Sequence, residues 1–596
     1  MRSYYIDVLK AIAIIAVVLY HSGFLTYGYL GVDLFLVING YFITKGLNKL
    51  LITGEVNKGG ISKYFQFVIC RIGRLLPVLL IAGVFCMAFG YFVMLPDDYE
   101  NLSESVVATN FFGNNILSAI TTKNYWDISN EYKPLMHTWY VGLVMQFYFI
   151  YPLLFYVAKL DKKGVKRTLI VIISTLSIIS LLIYFGTTDD AGRFYYLPSR
   201  FFEFTVGGII ALMWKSQIDS KIFKNWFVYV CYALIMFLFC ANLEIIPARI
   251  KLVLVVALSA VLIMSSVTLE NKVTGNGVIA KIGAASYSIF VWHQVLLAFY
   301  RYTISNEFTP ITYLIFIVVV AQFSWFTYHC IEQRTSGWLK EKGSKKRIFY
   351  FITILSFLCL SGFSSYIYLR AGVVRDVPEL YIEKNNIHRG MHAEYCDRAY
   401  QYDKPFETDK QHWLVIGNSY GRDFVNVILE SDIADKVEVS YIFSDNTTNH
   451  YKDKDNTIRY AKADRVFIST KGLNEEFVDG VEVQCQSNGF DTKKLVIVGE
   501  KSFGESNGQF YVKRNSQDYF EQRTKVDDAF IVRNNNMSKI YEERFLDLIS
   551  MVIDDNEKVP VFTPDHHYIS QDCEHFSKGG AVYYSQLIDW DKYLKE

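Results

Sequence analysis

Ser419, Asp572 and His575 are the residues of this 596-residue chain best suited to covalent chemistry. A serine hydroxyl becomes a nucleophile when an imidazole takes its proton, and in Asp572-Cys573-Glu574-His575 one short loop could hold the carboxylate that orients that imidazole. Ser419 alone reads more simply as a loop serine. Its setting changes that: Trp413-Leu414-Val415-Ile416 reads as a buried strand, and Gly417-Asn418-Ser419-Tyr420-Gly421 turns it into a helix expected to begin near Arg422. A hydroxyl at such a turn lies at the end of a sheet beside the positive end of a helix, where charge developing on an acyl carbonyl oxygen is stabilised.

A second set of reactive residues lies in apolar surroundings. Lys10 and His21 are eleven residues apart, so on one helix they share a face and stand roughly 16 Å apart along it, within reach of one long substrate. Ionisable groups at membrane depth are costly and normally face a cavity or a partner. The simpler reading of Lys10 is snorkelling or pairing with Asp7, and that of His21 is an interfacial histidine. His137-Thr138-Trp139 with Gln146-Phe147-Tyr148 reads as a site or as an aromatic interface belt, and Arg200 with Glu203, one turn apart, as a site or a plain ion pair. Arg71 and Arg74 could set topology alone, yet cations at that mouth would suit phosphates.

These residues are carried by about eleven apolar stretches, near 7–27, 31–47, 75–95, 137–158, 167–187, 196–214, 225–243, 249–268, 279–299, 311–331 and 348–369. Most can cross a hydrocarbon layer of about 30 Å. The second, with Asp33, Asn39 and Gly40, could instead be tilted or re-entrant. Apolar content of 52% with net charge +1 excludes one ordinary soluble domain and gives no electrostatic case for a nucleic-acid partner. Alternate loops carry Lys45, Lys49, Lys58 and Lys63 with the two arginines; Lys162, Lys163, Lys166 and Arg167; Lys215, Lys221 and Lys224; and Lys340, Lys342, Lys345, Lys346 and Arg347. The loop from Leu95 to Met136 is acidic, with Asp97, Asp98, Glu100, Glu104, Asp127 and Glu131. Positive charge marks the cytoplasmic side, so the amino terminus is expected inside and the tail from about Arg370 outside a cytoplasmic membrane. The first stretch has no convincing cleavage site and reads as retained.

The expected fold is therefore a multispan α-helical bundle of 10–11 spans followed by a three-layer α/β domain. The expected division is residues 1–335 for the membrane domain, 336–411 for the eleventh span and linker, and 412–596 for the external domain. Further strands are expected near Arg465 to Ser469, Leu495 to Val498 and Pro560 to Thr563. Of nine cysteines, Cys396, Cys485 and Cys573 lie in the external part, where one disulfide and a free thiol are the simplest expectation. His566 and His567 lack a clear set of further ligands, so no metal is expected.

In order and spacing the membrane half resembles acyltransferase family three. The resemblance runs through Tyr5-Ile6-Asp7-Val8-Leu9-Lys10, His21, Gly31-Val32-Asp33-Leu34-Phe35, Asn39-Gly40-Tyr41-Phe42, Arg71-Ile72-Gly73-Arg74, His137-Thr138-Trp139, Arg200 to Glu203, Ser286-Tyr287-Ser288 to Trp292-His293, and Glu332-Gln333-Arg334. It implies that His21 is essential to acyl transfer and that Lys10, Arg71 and Arg74 hold the donor. Three positions depart: lysine for the usual arginine at Lys10, which loses the planar fork, and Tyr140 and Val144 where serine and glutamate are usual. The tail resembles the SGNH hydrolase family, with Asn418 in place of the usual aspartate. That likeness implies the Ser419, Asp572 and His575 triad, with the Ser419 amide, Gly472 and Asn507 as oxyanion donors.

Together these resemblances imply a membrane O-acyltransferase, with acetyl transfer as the expected reaction. It would take an acyl group from cytoplasmic acyl-CoA and deliver it to a hydroxyl of an extracytoplasmic envelope polysaccharide: O-antigen, peptidoglycan or exopolysaccharide. Acyl-CoA enters as a substrate, with no bound cofactor, and membrane lipid surrounds the spans. The alternatives are a membrane-anchored glycan O-acyl esterase and a transporter or flippase.

Overall fold

The computed structural model describes residues 4–49, 60–121, 128–161, 164–213, 225–241, 245–269, 277–339, 343–385, 391–445 and 447–594. Among the loop charges named above, Lys58, Lys162, Lys163, Lys215, Lys221, Lys224, Lys340, Lys342 and Asp127 lie outside the described residues. The chain divides into two compact units, Met1–Gly90 with Leu102–Ser365, and Tyr91–Asn101 with Tyr366–Glu596.

The first unit is helical, and helices occupy all eleven apolar stretches, beginning with α1 (Tyr4–His21), α2 (Gly31–Leu47) and α3 (Gly60–Val93). Among the described residues, seven are long and apolar enough to cross a membrane, or eight with one bent pair counted as a span. The helix Leu197–Met213 is shorter and carries Arg200 and Glu203, both buried within protein, where partners replace the water that lipid lacks. α2 runs unbroken and is among the helices long and apolar enough to cross a membrane. The interrupted segment is Val278–Ala284 with Ser286–Thr303, bent by 74°.

Small residues let α2 and Leu197–Met213 approach closely. A Cβ on Gly40 would stand 1.8 Å from the Phe204 carbonyl oxygen, and one on Gly207 would stand 2.0 Å from that of Val37. Lipid supplies no hydrophobic drive for helices to associate, so backbone approach and van der Waals packing hold this pair. Leu34, Val37, Ile38 and Tyr41 pack here in one core with Phe202 and Ile210.

The second unit is built on a five-stranded parallel sheet in the order β2-β1-β3-β4-β6. Its strands are β1 (Gln411–Gly417), β2 (Val437–Phe443), β3 (Arg465–Ser469), β4 (Leu495–Val498) and β6 (Phe545–Leu546); β5 (Arg523–Lys525) and β7 (Lys558–Pro560) form a separate antiparallel ribbon. The strand expected near Pro560 to Thr563 thus ends at Pro560 and lies outside the main sheet, because proline has no N–H to donate to a central ladder. Burial on both faces explains why β1 reads as a continuous apolar run. Trp413 and Val415 join one core with Phe424, Phe467 and Trp590, while Leu414 and Ile416 join another with Val466, Phe477 and Val481.

A smaller cluster joins Leu95 to Val373, Val377, Tyr511, Phe562 and Tyr568. There the Arg375 guanidinium donates to the carbonyls of Tyr91 and Met94 and to the Tyr511 hydroxyl. The expected disulfide does not form: Cys396, Cys485 and Cys573 are all buried thiols that bridge to no other cysteine. Cys485 belongs to the core beside Val481, and the Cys396 thiol faces the Phe576 carbonyl at 3.9 Å. Burial pushes the Cys485 thiol up to about 12 and, reinforced by Asp572, Asp98 and Glu574, holds the Cys573 thiol well above its usual range.

Gly417 closes β1 where a Cβ would meet the Ser469 carbonyl oxygen at 1.7 Å, a backbone atom that cannot swing aside. Gly417→Ala should therefore cost on the order of 3 kcal/mol. Gly489→Ala, at φ +76° in open space, should cost only about 1 kcal/mol of backbone strain. Comparing unfolding midpoints of the two purified full-length variants checks the order.

Candidate functional site

The chain leaves β1 at Gly417 and enters the helix Ser419–Leu429 at once, so Ser419 is that helix's first residue and the expected start near Arg422 lies three residues too late. Asn418 caps the helix. Its Oδ1 accepts the Tyr420 amide at 3.1 Å and the Lys471 amide at 3.0 Å, while its Nδ2 donates to the Lys471 carbonyl at 3.3 Å. An aspartate could accept both amides but could not donate, so the departure at Asn418 ties the loops after β1 and β3 together. The Tyr441 hydroxyl, 3.1 Å from the Gly417 carbonyl oxygen and 2.8 Å from that of Asn418, holds the turn from beneath. This crevice, between adjacent strands whose connections run in opposite directions, is where open α/β sheets bind ligands.

Ser419 Oγ stands 2.8 Å from His575 Nε2, and His575 Nδ1 stands 2.6 Å from Asp572 Oδ2. Asp572 is fixed in turn, because its Oδ1 accepts the backbone amides of Glu574 at 2.9 Å and His575 at 2.7 Å. Charge of that kind on Nδ1 makes this nitrogen carry the proton and leaves Nε2 to accept one from serine. The loop has a second anchor. Lys501 and Asp423, 2% and 1% exposed, pair at 2.9 Å; Asp423 Oδ2 also accepts the Phe576 amide at 2.8 Å, and Lys501 Nζ donates to the Glu574 carbonyl at 2.7 Å. One buried ion pair therefore joins the nucleophile helix to both sides of His575. No motif marked either residue, since their separation in sequence hides the contact.

Two of the expected oxyanion donors are spent elsewhere. The Gly472 amide donates to the Glu500 carboxylate, whose other oxygen accepts from Arg533. Asn507 is buried and its Nδ2 donates to the carbonyls of Ser570 and Gln571, so it holds the loop that leads into Asp572. The Ser419 amide, first of its helix, has no intrahelical acceptor. His566 stacks on Phe520 and His567 on Tyr381, and no metal-binding group of three His, Cys, Asp or Glu side chains occurs among the described residues.

In the helical unit, Lys10, Arg71 and Arg74 line one cavity of about 340 Å³, together with Tyr140 and Val144. Lys10 lies 3.5 Å from Asp7 and over the Phe42 ring. Arg71 rests on Phe67 and Tyr148, and Arg74 stands 3.7 Å from Glu332, which the Ser288 hydroxyl also reaches at 3.0 Å. His21 lines a different cavity, of about 320 Å³, with Asp33, Trp139 and Arg200. Lys10 and His21 thus share a helix but open on separate spaces.

Arg200 pairs with Glu203 at 3.1 Å and also with Asp33 at 2.8 Å, all three buried; the residue of the Gly31-Val32-Asp33 motif is the partner that spacing alone did not reveal. His137 and Glu203 line neither cavity. The His137 ring instead lies 5.4 Å from that of His293, which lies 5.3 Å from His21. His293 Nδ1 sits 2.7 Å from the Phe290 carbonyl oxygen, an arrangement that puts the proton on Nδ1 and leaves Nε2 as the acceptor. The Arg301 guanidinium bonds the His21 carbonyl at 2.8 Å and pairs with Glu131 at 2.9 Å.

Comparison with known proteins bears on the helical unit. A Staphylococcus aureus protein (strain COL) with the provisional name O-acetyltransferase is 28% identical over 352 residues, 55% of this chain and 56% of its own length. O-acetyltransferase OatA of Staphylococcus aureus (strain NCTC 8325 / PS 47) is 26% identical over 399 residues, 60% of this chain and 62% of its own length. The chain thus spans a little over half the length of the curated relatives it matches. Residues 3–329 match the family model described as an acyltransferase domain, and with more than half of its length so matched, this membrane protein belongs to acyltransferase family three.

Proposed function

We propose that the protein is an O-acetyltransferase that takes an acetyl group from acetyl-CoA and delivers it, through Ser419, to a hydroxyl of an envelope polysaccharide. The observation that carries this reading is the continuous chain Ser419 Oγ, His575, Asp572, with links of 2.8 and 2.6 Å, on the same polypeptide as an acyltransferase-family membrane unit. The relatives named O-acetyltransferase support the acetyl group. On this reading the amino terminus is cytoplasmic, the protein sits in the cytoplasmic membrane and the α/β unit lies outside.

The donor would bind with its phosphates on Lys10, Arg71 and Arg74, cations that line one cavity. His21 would act on the acyl group as base or acyl carrier. At Ser419, Oγ forms a bond to the acyl carbon while its proton passes to His575 Nε2, and the bond to the delivering group breaks as His575 hands that proton to the departing group, which leaves the imidazole neutral again. The acceptor hydroxyl then attacks the acyl-serine, yields its proton to His575, and Ser419 Oγ leaves with the proton His575 returns. The oxyanion of each step would meet the Ser419 amide at the helix N-terminus, in place of the engaged Gly472 and Asn507.

Ser419→Ala should lower transfer on the order of 10⁴-fold or more. His21→Ala should likewise abolish O-acetyl groups on envelope glycans, read by proton NMR of glycan from matched strains. Loss in both variants supports the two-site route, whereas a rise in O-acetyl content in the Ser419→Ala strain would make the protein an esterase. Arg71→Ala and Arg74→Ala should each weaken CoA binding to the full-length protein by about tenfold or more, as loss of a hydrogen bond to a charged group does. Lys10→Arg, which keeps the charge, should bind CoA at least as well as Lys10; isothermal titration checks all three.

A further inference from the structure

The donor cavity ends in aromatic rings on the side toward His21. Its cationic part is made where Lys10 overlies Phe42, Arg71 overlies Tyr148, and the Tyr287 hydroxyl bonds the Leu75 carbonyl at 2.8 Å. Eight residues before Tyr148 on the helix Trp139–Ala158, about 12 Å along its axis, stands Tyr140. The Tyr140 ring lies 5.2 Å from that of Phe290 and 6.3 Å from that of Phe35, and all three side chains line the cavity. Behind Phe290, at 4.9 Å, comes His137, and beyond it His293 and then His21.

Tyr140 is held in place. Asn39 Nδ2 donates to its hydroxyl at 2.6 Å, and the Tyr148 hydroxyl donates to the other end of the same amide at 3.4 Å. A buried ring with a clamped hydroxyl, packed against two other rings, cannot swing away at little cost. Val144, one turn on, adds an apolar wall where the resemblance led one to expect a carboxylate.

We infer that Tyr140, with Phe35 and Phe290, narrows the donor cavity on the side toward His21 and so restricts the donor to a short acyl group. Tyr140 is thus the specificity-determining residue for chain length, an inference that rests on the donor-site reading above. The departure at Tyr140 acquires a function: a serine there would leave the cavity wider toward the histidines, whereas the phenol ring fills the space that further methylenes would occupy. Closely packed walls discriminate strongly against an added methylene, by about tenfold or more.

The test uses the full-length protein in membranes, supplied with envelope glycan stripped of O-acyl groups and with acetyl-, butanoyl- or hexanoyl-CoA. Initial rates of CoA release are compared within each variant, alongside CoA affinity by titration. Wild type should favour acetyl over butanoyl by about tenfold or more, and Tyr140→Phe, which keeps the ring, should share that profile. Tyr140→Ala should reduce the preference to within about threefold or reverse it. Phe35→Ala should do the same, and serves if Tyr140→Ala does not fold. An unchanged profile in both alanine variants with CoA binding intact would overturn the inference alone, as would a wild type that uses hexanoyl-CoA as readily as acetyl-CoA. A folded wild type that does not bind CoA would remove the donor-site reading, and this inference with it.

Discussion

A charge taken out of water must be answered by an opposite charge, and both units of this protein are organised around that requirement. In the helical unit Arg200 is answered by Asp33 and Glu203, which locks α2 to the helix Leu197–Met213 along the seam that Gly40 and Gly207 make narrow. In the α/β unit Lys501 is answered by Asp423, which locks the nucleophile helix to the loop bearing His575. Removing one partner of such a pair leaves a bare charge in a low dielectric, which costs about 3–5 kcal/mol. Because these costs are steep and geometric, each pair fixes the position of its neighbours as well as itself.

That fixing matters because proton exchange between a serine hydroxyl and an imidazole depends on distance. Ser419, His575 and Asp572 come from two segments more than 150 residues apart in sequence, yet their contacts of 2.8 and 2.6 Å leave little slack. The precision arises from backbone constraints around them: a glycine at the end of β1 where a Cβ would meet a backbone carbonyl, an asparagine that bridges two loops, and an aspartate whose second oxygen is filled by the amides of its own loop. Side chains that a family pattern would enlist as oxyanion donors serve this same purpose. Gly472 and Asn507 spend their hydrogen bonds on support, and the N-terminus of the helix that Ser419 begins lies beside its hydroxyl.

The helical unit divides its polar groups between two spaces. Lys10, Arg71 and Arg74 line one cavity, His21 opens on another that Arg193, Arg200 and Arg249 also line, and the rings of Phe35, Tyr140 and Phe290 belong to the wall of the first. On the function proposed above, this arrangement would hold a charged donor on one side and let only a small group reach the histidines. It also accounts for the two departures from family pattern on the helix Trp139–Ala158, since Tyr140 and Val144 are both cavity wall.

By itself the sequence determined the periodicities and the covalent order: eleven apolar stretches, a strand running into a helix at Ser419, and the short Asp572 to His575 loop. These were legible because each depends on neighbours within a few residues, where hydrophobic period, turn chemistry and helix spacing act directly. The three-residue spacing of Arg200 and Glu203 belongs to the same class. What only the tertiary structure decided are the contacts between distant segments: Asp33 with Arg200, Lys501 with Asp423, His293 beside His21, Glu500 on the Gly472 amide, and Asn39 on Tyr140. The absent disulfide is of this kind too, because whether two thiols meet depends on where two chain segments cross. Local rules say which groups can bond, but burial decides which partner each must take, and burial is a property of the whole fold.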